Sequence, residues 1–269
     1  WVMSLVLQAL IGLTVIVGYN MVAGEPLSEY LGLLVTHGFT QGPGQALALG
    51  GIWENEMGIT HAVNFGLIYA SVGFIVAFSI GVPVARWAVR NGLNANKNAR
   101  IDRDFVTGIL SPEARLSAGQ QVTHPANVDS LGFHLAILGV AYLITDGYIT
   151  FMGSMVANID LSPLNLTVIF SHNLFFFHGL IICVILRALL NRFGLGHFID
   201  DDTQRRITGS SVDFMVVATI MSIKFALLAE FIVPIVAVCL AVSVGTALLC
   251  YVFGRRLSEH GVERALTAF

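Results

Sequence analysis

Charge is scarce in this sequence. Lysine, arginine, aspartate and glutamate make up 12% of its 269 residues, whereas a soluble domain carries about 25%. Half the expected solvated surface is therefore missing. The net charge of −3 leaves no basic footprint for a nucleic-acid partner. Cysteine is sparse too. Cys183, Cys239 and Cys250 each sit inside an apolar run without metal-ligand spacing, and read as small buried hydrophobes. No nucleophile elbow, P-loop or H-E-x-x-H motif occurs, so an enzyme would have no visible catalytic set. Neither an initiator methionine nor a basic leader precedes Trp1, which lies in or beside an apolar run; the amino terminus reads as cut.

What fills the sequence is apolar. Hydrophobic residues make up 55% of it and its mean hydropathy is +0.77. Uncharged runs cover residues 3–23, 62–85, 131–145, 164–186 and 231–253, most of them reaching the ~20 residues that carry a helix across a bilayer. The fold class is an all-α polytopic membrane protein.

Basic residues mark the cytoplasmic side of such a protein. Arg86, Arg90, Lys97, Arg100, Arg103 and Arg115 lie along a polar connection that ends at Asp129. Arg187, Arg192, Arg205 and Arg206 form the next cluster, and Arg255 and Arg256 the last. The intervening connections are acidic, with Glu25 and Glu29, then Glu54 and Glu56, then Asp160. Six crossings place every basic cluster inside: the five runs above and a further helix over residues 207–223. That holds only if residues 27–53 begin and end on the outer side. The stretch "THGFTQGPGQALALGG" from Thr36 to Gly51 is therefore expected to form the turn and return arm of a re-entrant hairpin, with a periplasmic loop between two short spans as the alternative.

Irregular backbone at membrane depth is tolerated only where protein buries it or water reaches it. Gly42-Pro43-Gly44 suits a tight turn that lets a ligand approach the backbone closely. A half-helix starting near Gln45 would aim its amides at an anion. Thr40, Gln41 and Gln45 add donors and acceptors, and free carbonyls from Gly38 onward suit sodium. The expected substrate-binding set is thus Thr40, Gln41, Gly42, Gly44 and Gln45, with Gly38 and Thr40 toward the ion.

The segment that opens this hairpin has a counterpart. G-x-x-L-S-E occurs at Gly24 to Glu29 and again at Gly254 to Glu259, each time after a long apolar helix, and in the same register Phe39 matches Phe269. The loop charges put the first copy outside and the second inside, as in an inverted-topology repeat. Residues 1–85 then close a first repeat, 86–130 form a cytoplasmic connection, and 131–269 begin a second. The second binding loop, the helices after it and the early helices of the first repeat would lie outside this chain, which alone would not transport.

Residues 33–90 resemble the sodium/glutamate symporters of bacteria. The G-x-G loop at Gly42 to Gly44 is followed by Met57-Gly58-Ile59-Thr60, by Asn64-Phe65-Gly66-Leu67 and by the exit "IGVPVARWAVRNG", close to the family's G-G-P-V-A-R signature. Residues 207–269 resemble the family as well. The resemblance implies two inverted five-helix halves, re-entrant loops that together form the site, and a homodimer in the full-length protein. It also implies symport of glutamate or a related anionic amino acid, sodium as the coupling ion with no other cofactor, and residence in the bacterial cytoplasmic membrane. One departure stands out. Where the family reads G-G-H-G-T-G, this sequence reads "GFTQGPG", with the histidine displaced to His37 and Pro43 in place of a hydroxyl residue.

Other polar residues in the apolar runs invite functional readings. Asp213 suits either the ion route or an amino-terminal cap, and Ser210 and Ser211 either ion ligands or caps. Asp146 is expected near the outer end of its helix, facing water, and Lys224 and Glu230 bracket a short outer connection. Asn64 and Asn173 suit interhelical bonds. His134, His172 and His178 raise the alternative of a membrane redox subunit, although the six-residue spacing of the last two is unlike an i, i+4 ligand pair. A transporter-like protein with another substrate, or with no transport, is the remaining alternative.

Overall fold

The computed structural model describes residues 2–24, 26–93, 102–114, 118–157, 159, 166–254 and 256. All regular elements among them are helical. The chain divides into two compact units, residues 1–115 with 216–269, and residues 116–215.

In the first unit, α1 (Val2–Asn20) is followed by α2 (Tyr30–Leu33), a π-helical turn at Thr36–Thr40, and α3 (Pro43–Asn55). Next come α4 (Ala62–Val76), a second π turn at Ala77–Gly81, α5 (Val82–Arg90) and the short α6 (Arg103–Thr107). Pro83 explains the second π turn. Proline removes a helical N–H and its ring crowds the preceding turn's carbonyl, so the helix widens and Val82 N–H reaches back five residues to the Ala77 carbonyl. The apolar run nonetheless continues from Ala62 to Arg90.

The second unit holds α7 (Ser130–Val156), α8 (Leu166–Ile169), α9 (Phe175–Arg192) and the start of α10 (Asp201–Met221). After α10, the chain forms α11 (Phe225–Glu230) and α12 (Ile232–Gly254), which belong to the first unit.

Among the described residues five helical stretches are long and apolar enough to cross a membrane: Val2–Asn20, Ala62–Arg90, Ser130–Val156, His172–Arg192 and Ile232–Phe253. They coincide with the five apolar runs of the sequence. The sixth expected crossing, 207–223, is not among them. Most of it belongs to α10, which starts six residues earlier, ends at Met221 and carries Asp201, Asp202, Arg205, Arg206 and Asp213. The fourth span starts later than its apolar run, because α8 ends at Ile169 and a 3-10 turn at His172–Leu174 intervenes before α9. The third runs to Val156. Asp146 therefore sits within the helix and not near its end.

On α1 and α12 buried small and polar residues share the inner face with apolar ones, while large apolar side chains cover much of the outer face. Along α1 the buried stripe is Ser4, Gln8, Gly12 and Ile16, while Val2, Met3, Val6 and Leu10 are exposed. Thr246 of α12 is buried, and Leu240, Val244 and Leu248 beside it are exposed. Lipid solvates the aliphatic face as well as protein would, so backbone approach and polar satisfaction select the inner face. The core of the first unit gathers Ile16, Leu34, Phe65, Tyr69, Ile235 and Val242 from α1, α4, α12 and the segment after α2.

Candidate functional site

The site is built on the connection between α2 and α3. Gly42 has φ 85° and ψ −176°, a conformation open essentially to glycine alone. It reverses the chain and Pro43 then occupies the first helical position, where a missing N–H costs nothing. Ala46 is the first residue of α3 whose amide reaches back, to the Gly42 carbonyl at 3.2 Å. The N–H groups of Gly44 and Gln45 have no hydrogen-bond partner among the described residues. They open a helix of 13 residues, whose dipole adds positive potential at this end. Gly44 is exposed, and a Cβ placed on it would meet nothing within 4 Å. The turn therefore presents two donors beside free space, as an anion site requires.

The expected residues Thr40, Gln41, Gly42, Gly44 and Gln45 all lie along this one turn. Gly38 lies one turn earlier and is held by packing. A Cβ there would come 2.4 Å from the Gly66 carbonyl oxygen and 2.9 Å from Tyr69 Cβ, and its own carbonyl already accepts the amide of Gly42 at 3.0 Å. His37 meets Trp53 edge to face, with ring centroids 6.5 Å apart. At the far end of α3, Glu54 Oε2 accepts the amide of Val63 at 3.0 Å. That bond ties the returning arm to the start of α4.

A backbone carbonyl and a side chain of α1 hold the turn from behind. Thr36 Oγ1 donates to the Leu5 carbonyl at 3.1 Å. Thr40 Oγ1 donates to Gln8 Oε1, and Gln8 Nε2 donates to Thr246 Oγ1 of α12 at 3.1 Å. Sequence reasoning did not single out Gln8 or Thr246. The available signal was a lone amide in an apolar helix, and the interhelical bonding expected of Asn64 and Asn173 is made here by Gln8.

Ser210, Ser211 and Asp213 belong to the second unit, where all three are exposed on α10. They do not cap this helix. Asp200 does: its Oδ2 accepts from the Thr203 amide at 2.8 Å and the Thr203 hydroxyl at 2.7 Å. Those bonds hold the Asp200 carboxyl below its ordinary pKa. The helix starts before the serines, and the cap reading for them falls with the expected start at residue 207.

The histidines considered as redox ligands are engaged separately. His134 is fully buried; its Nδ1 bonds the Ser130 carbonyl at 2.6 Å and its Nε2 accepts the Asp200 amide at 2.9 Å. His172 Nε2 bonds Asp146 Oδ1 at 3.0 Å, and His178 Nε2 bonds the Ile169 carbonyl at 2.8 Å. No group of three His, Cys, Asp or Glu able to hold a metal occurs among the described residues. The second G-x-x-L-S-E copy lies largely outside the described residues, since 255 and 257–269 are not among them.

No curated protein and no solved structure matches the sequence. The family model for sodium/glutamate symporters does match, over residues 1–259, covering α1, the glycine turn and every span. The chain belongs to the sodium/glutamate symporter family.

Proposed function

We propose that this chain forms part of a sodium-coupled symporter of glutamate or a related anionic amino acid, and that the α2–α3 turn is its binding loop. The observation that carries this reading is the pair of unpaired amides at Gly44 and Gln45, opening a helix beside free space. These amides hold the substrate carboxylate, and Gln41 and Gln45 add side-chain donors. Oxygens of the same turn serve the sodium ion, and Ser210, Ser211 and Asp213 are separately proposed as ion ligands of the second unit. A co-bound cation offsets the substrate's charge, so each ligand raises affinity for the other, which couples the two gradients.

In this reading residues 27–53 enter and leave the membrane on the outer face, residues 86–130 form a cytoplasmic connection, and 131–269 open the inverted second half. The positions of the basic residues support that topology. The full protein works as a homodimer in the bacterial cytoplasmic membrane. The test is uptake of labelled glutamate into proteoliposomes by the protein expressed with all the coding sequence that flanks these residues. Saturable uptake that collapses without a sodium gradient is expected. Folded protein that takes up neither glutamate nor other carboxylates under a sodium gradient would sink the proposal.

A further inference from the structure

Thr40 stands in both the substrate set and the ion set, and its hydrogen bonding separates the two roles. Gln8 is 1% exposed and Thr246 is 1% exposed, so neither side chain exchanges partners with water. The Gln8 amide has one end that only donates and one that only accepts. Its Nε2 is committed to Thr246, which leaves Oε1 to receive the Thr40 proton. A threonine hydroxyl has a single proton and two lone pairs. With the proton on Gln8, Thr40 can offer only lone pairs to a ligand.

An ionised carboxylate is also purely an acceptor, so it meets a repulsive partner in Thr40. A hard cation is the complementary one, since it takes oxygen lone pairs as ligands. We propose that Gln8 is a positioning residue that fixes Thr40 as an oxygen ligand for the coupling cation, leaving the substrate carboxylate to the amides of Gly44 and Gln45. This rests on the reading of the turn as the binding loop, and it divides that loop into a cation side and an anion side four residues apart. Thr246 takes part as the buried hydroxyl that accepts from Nε2 while Oε1 faces Thr40.

The test is the thermal unfolding midpoint of the purified protein in sodium chloride against choline chloride at equal ionic strength, with no substrate present. Sodium should raise the midpoint of the wild type. Gln8→Met, similar in volume but without an acceptor, should need about tenfold more sodium or more for the same rise, the size of one lost interaction with a charged group. Gln8→Glu keeps an acceptor for Thr40 and should keep the sodium response. Thr40→Val should lose it and Thr40→Ser retain it. If Gln8 were only packing between helices, Gln8→Met would lower the midpoint equally in both salts and leave the sodium increment intact.

An intact increment in Gln8→Met or Thr40→Val overturns the proposal, as does a wild type that does not respond to sodium. Should Gln8→Met fail to fold, the Thr40 pair still decides. The expected sodium increments without glutamate uptake would remove the transport reading and leave this one. Sodium-driven uptake whose sodium dependence is unchanged in Thr40→Val would do the opposite.

Discussion

Gly12 of α1 and Gly32 of α2 cross backbone to backbone. A Cβ on Gly12 would lie 2.1 Å from the Gly32 carbonyl oxygen, and a Cβ on Gly32 would lie 2.3 Å from that of Gly12. Both obstacles are backbone, so neither can rotate away. Gly73 makes a similar crossing with the Phe39 carbonyl oxygen, at 2.3 Å. The glycine turn is thus clamped between α1 and α4 by contacts that admit only hydrogen as a side chain.

Gly12→Ala should therefore destabilise the protein by about 1–3 kcal/mol, the usual range for overpacking a filled interior. A Cβ on Gly18 of the same helix would meet nothing within 4 Å, and Gly18→Ala should be neutral or slightly stabilising through helix propensity. Thermal unfolding in detergent measures both. Equal midpoints for the two variants would show that the crossing is looser than the distances indicate.

Gly38 and Gly44 make the same comparison within the turn. Gly38→Ala must push against the Gly66 carbonyl, so it should lower the unfolding midpoint. Gly44→Val points into open space and should fold with a near-normal midpoint; if the turn binds the carboxylate as proposed, it should lose glutamate binding by at least about tenfold by filling that space. Binding of labelled glutamate, read beside the midpoint, separates the two effects. Unchanged binding in Gly44→Val would remove the anion from this helix start.

The spans and the turn were legible in the sequence for a direct reason. Twenty uncharged residues have few other destinations, and a G-P-G cluster between such runs breaks any helix. The inner faces of the helices were not legible. Gln8, Gly12 and Ile16 line the buried stripe of α1, but in a helix apolar on every side, hydrophobic periodicity does not mark a stripe. Gly12 and Gly18 look alike in sequence, and only the chain that crosses Gly12 distinguishes them. The start of α10 was missed because the charges at Asp201 to Arg206 resemble a loop. They form its first turns, with Asp200 as the cap.

In the second unit, His134 connects Ser130 to Asp200 through both ring nitrogens. Because Nε2 receives a backbone N–H, the proton must sit on Nδ1, and nitrogen NMR of labelled protein should show that tautomer. His134→Leu leaves the Asp200 amide without its acceptor and should cost about 1–3 kcal/mol. Hydrogen exchange at the Asp200 amide should speed up with it. An unaltered exchange rate would mean that another group takes over the amide.

Asp200 provides a pH signature for the same corner of the second unit. Its carboxylate accepts from the Thr203 hydroxyl and amide and from the Gln120 amide at 3.1 Å, and these bonds lower its pKa in the folded protein. A depressed folded value means that the unfolded chain takes up the proton first as pH falls. The stabilisation is then complete above the unfolded pKa of about 3.9, and is lost as pH drops through the lower folded value. Asp200→Asn should thus be less stable than wild type at pH 7, with a gap that narrows below about pH 4. Midpoints measured from pH 7 down to pH 3 test this. A gap that stays constant across that range would mean that the shape of the cap matters at Asp200 and its charge does not.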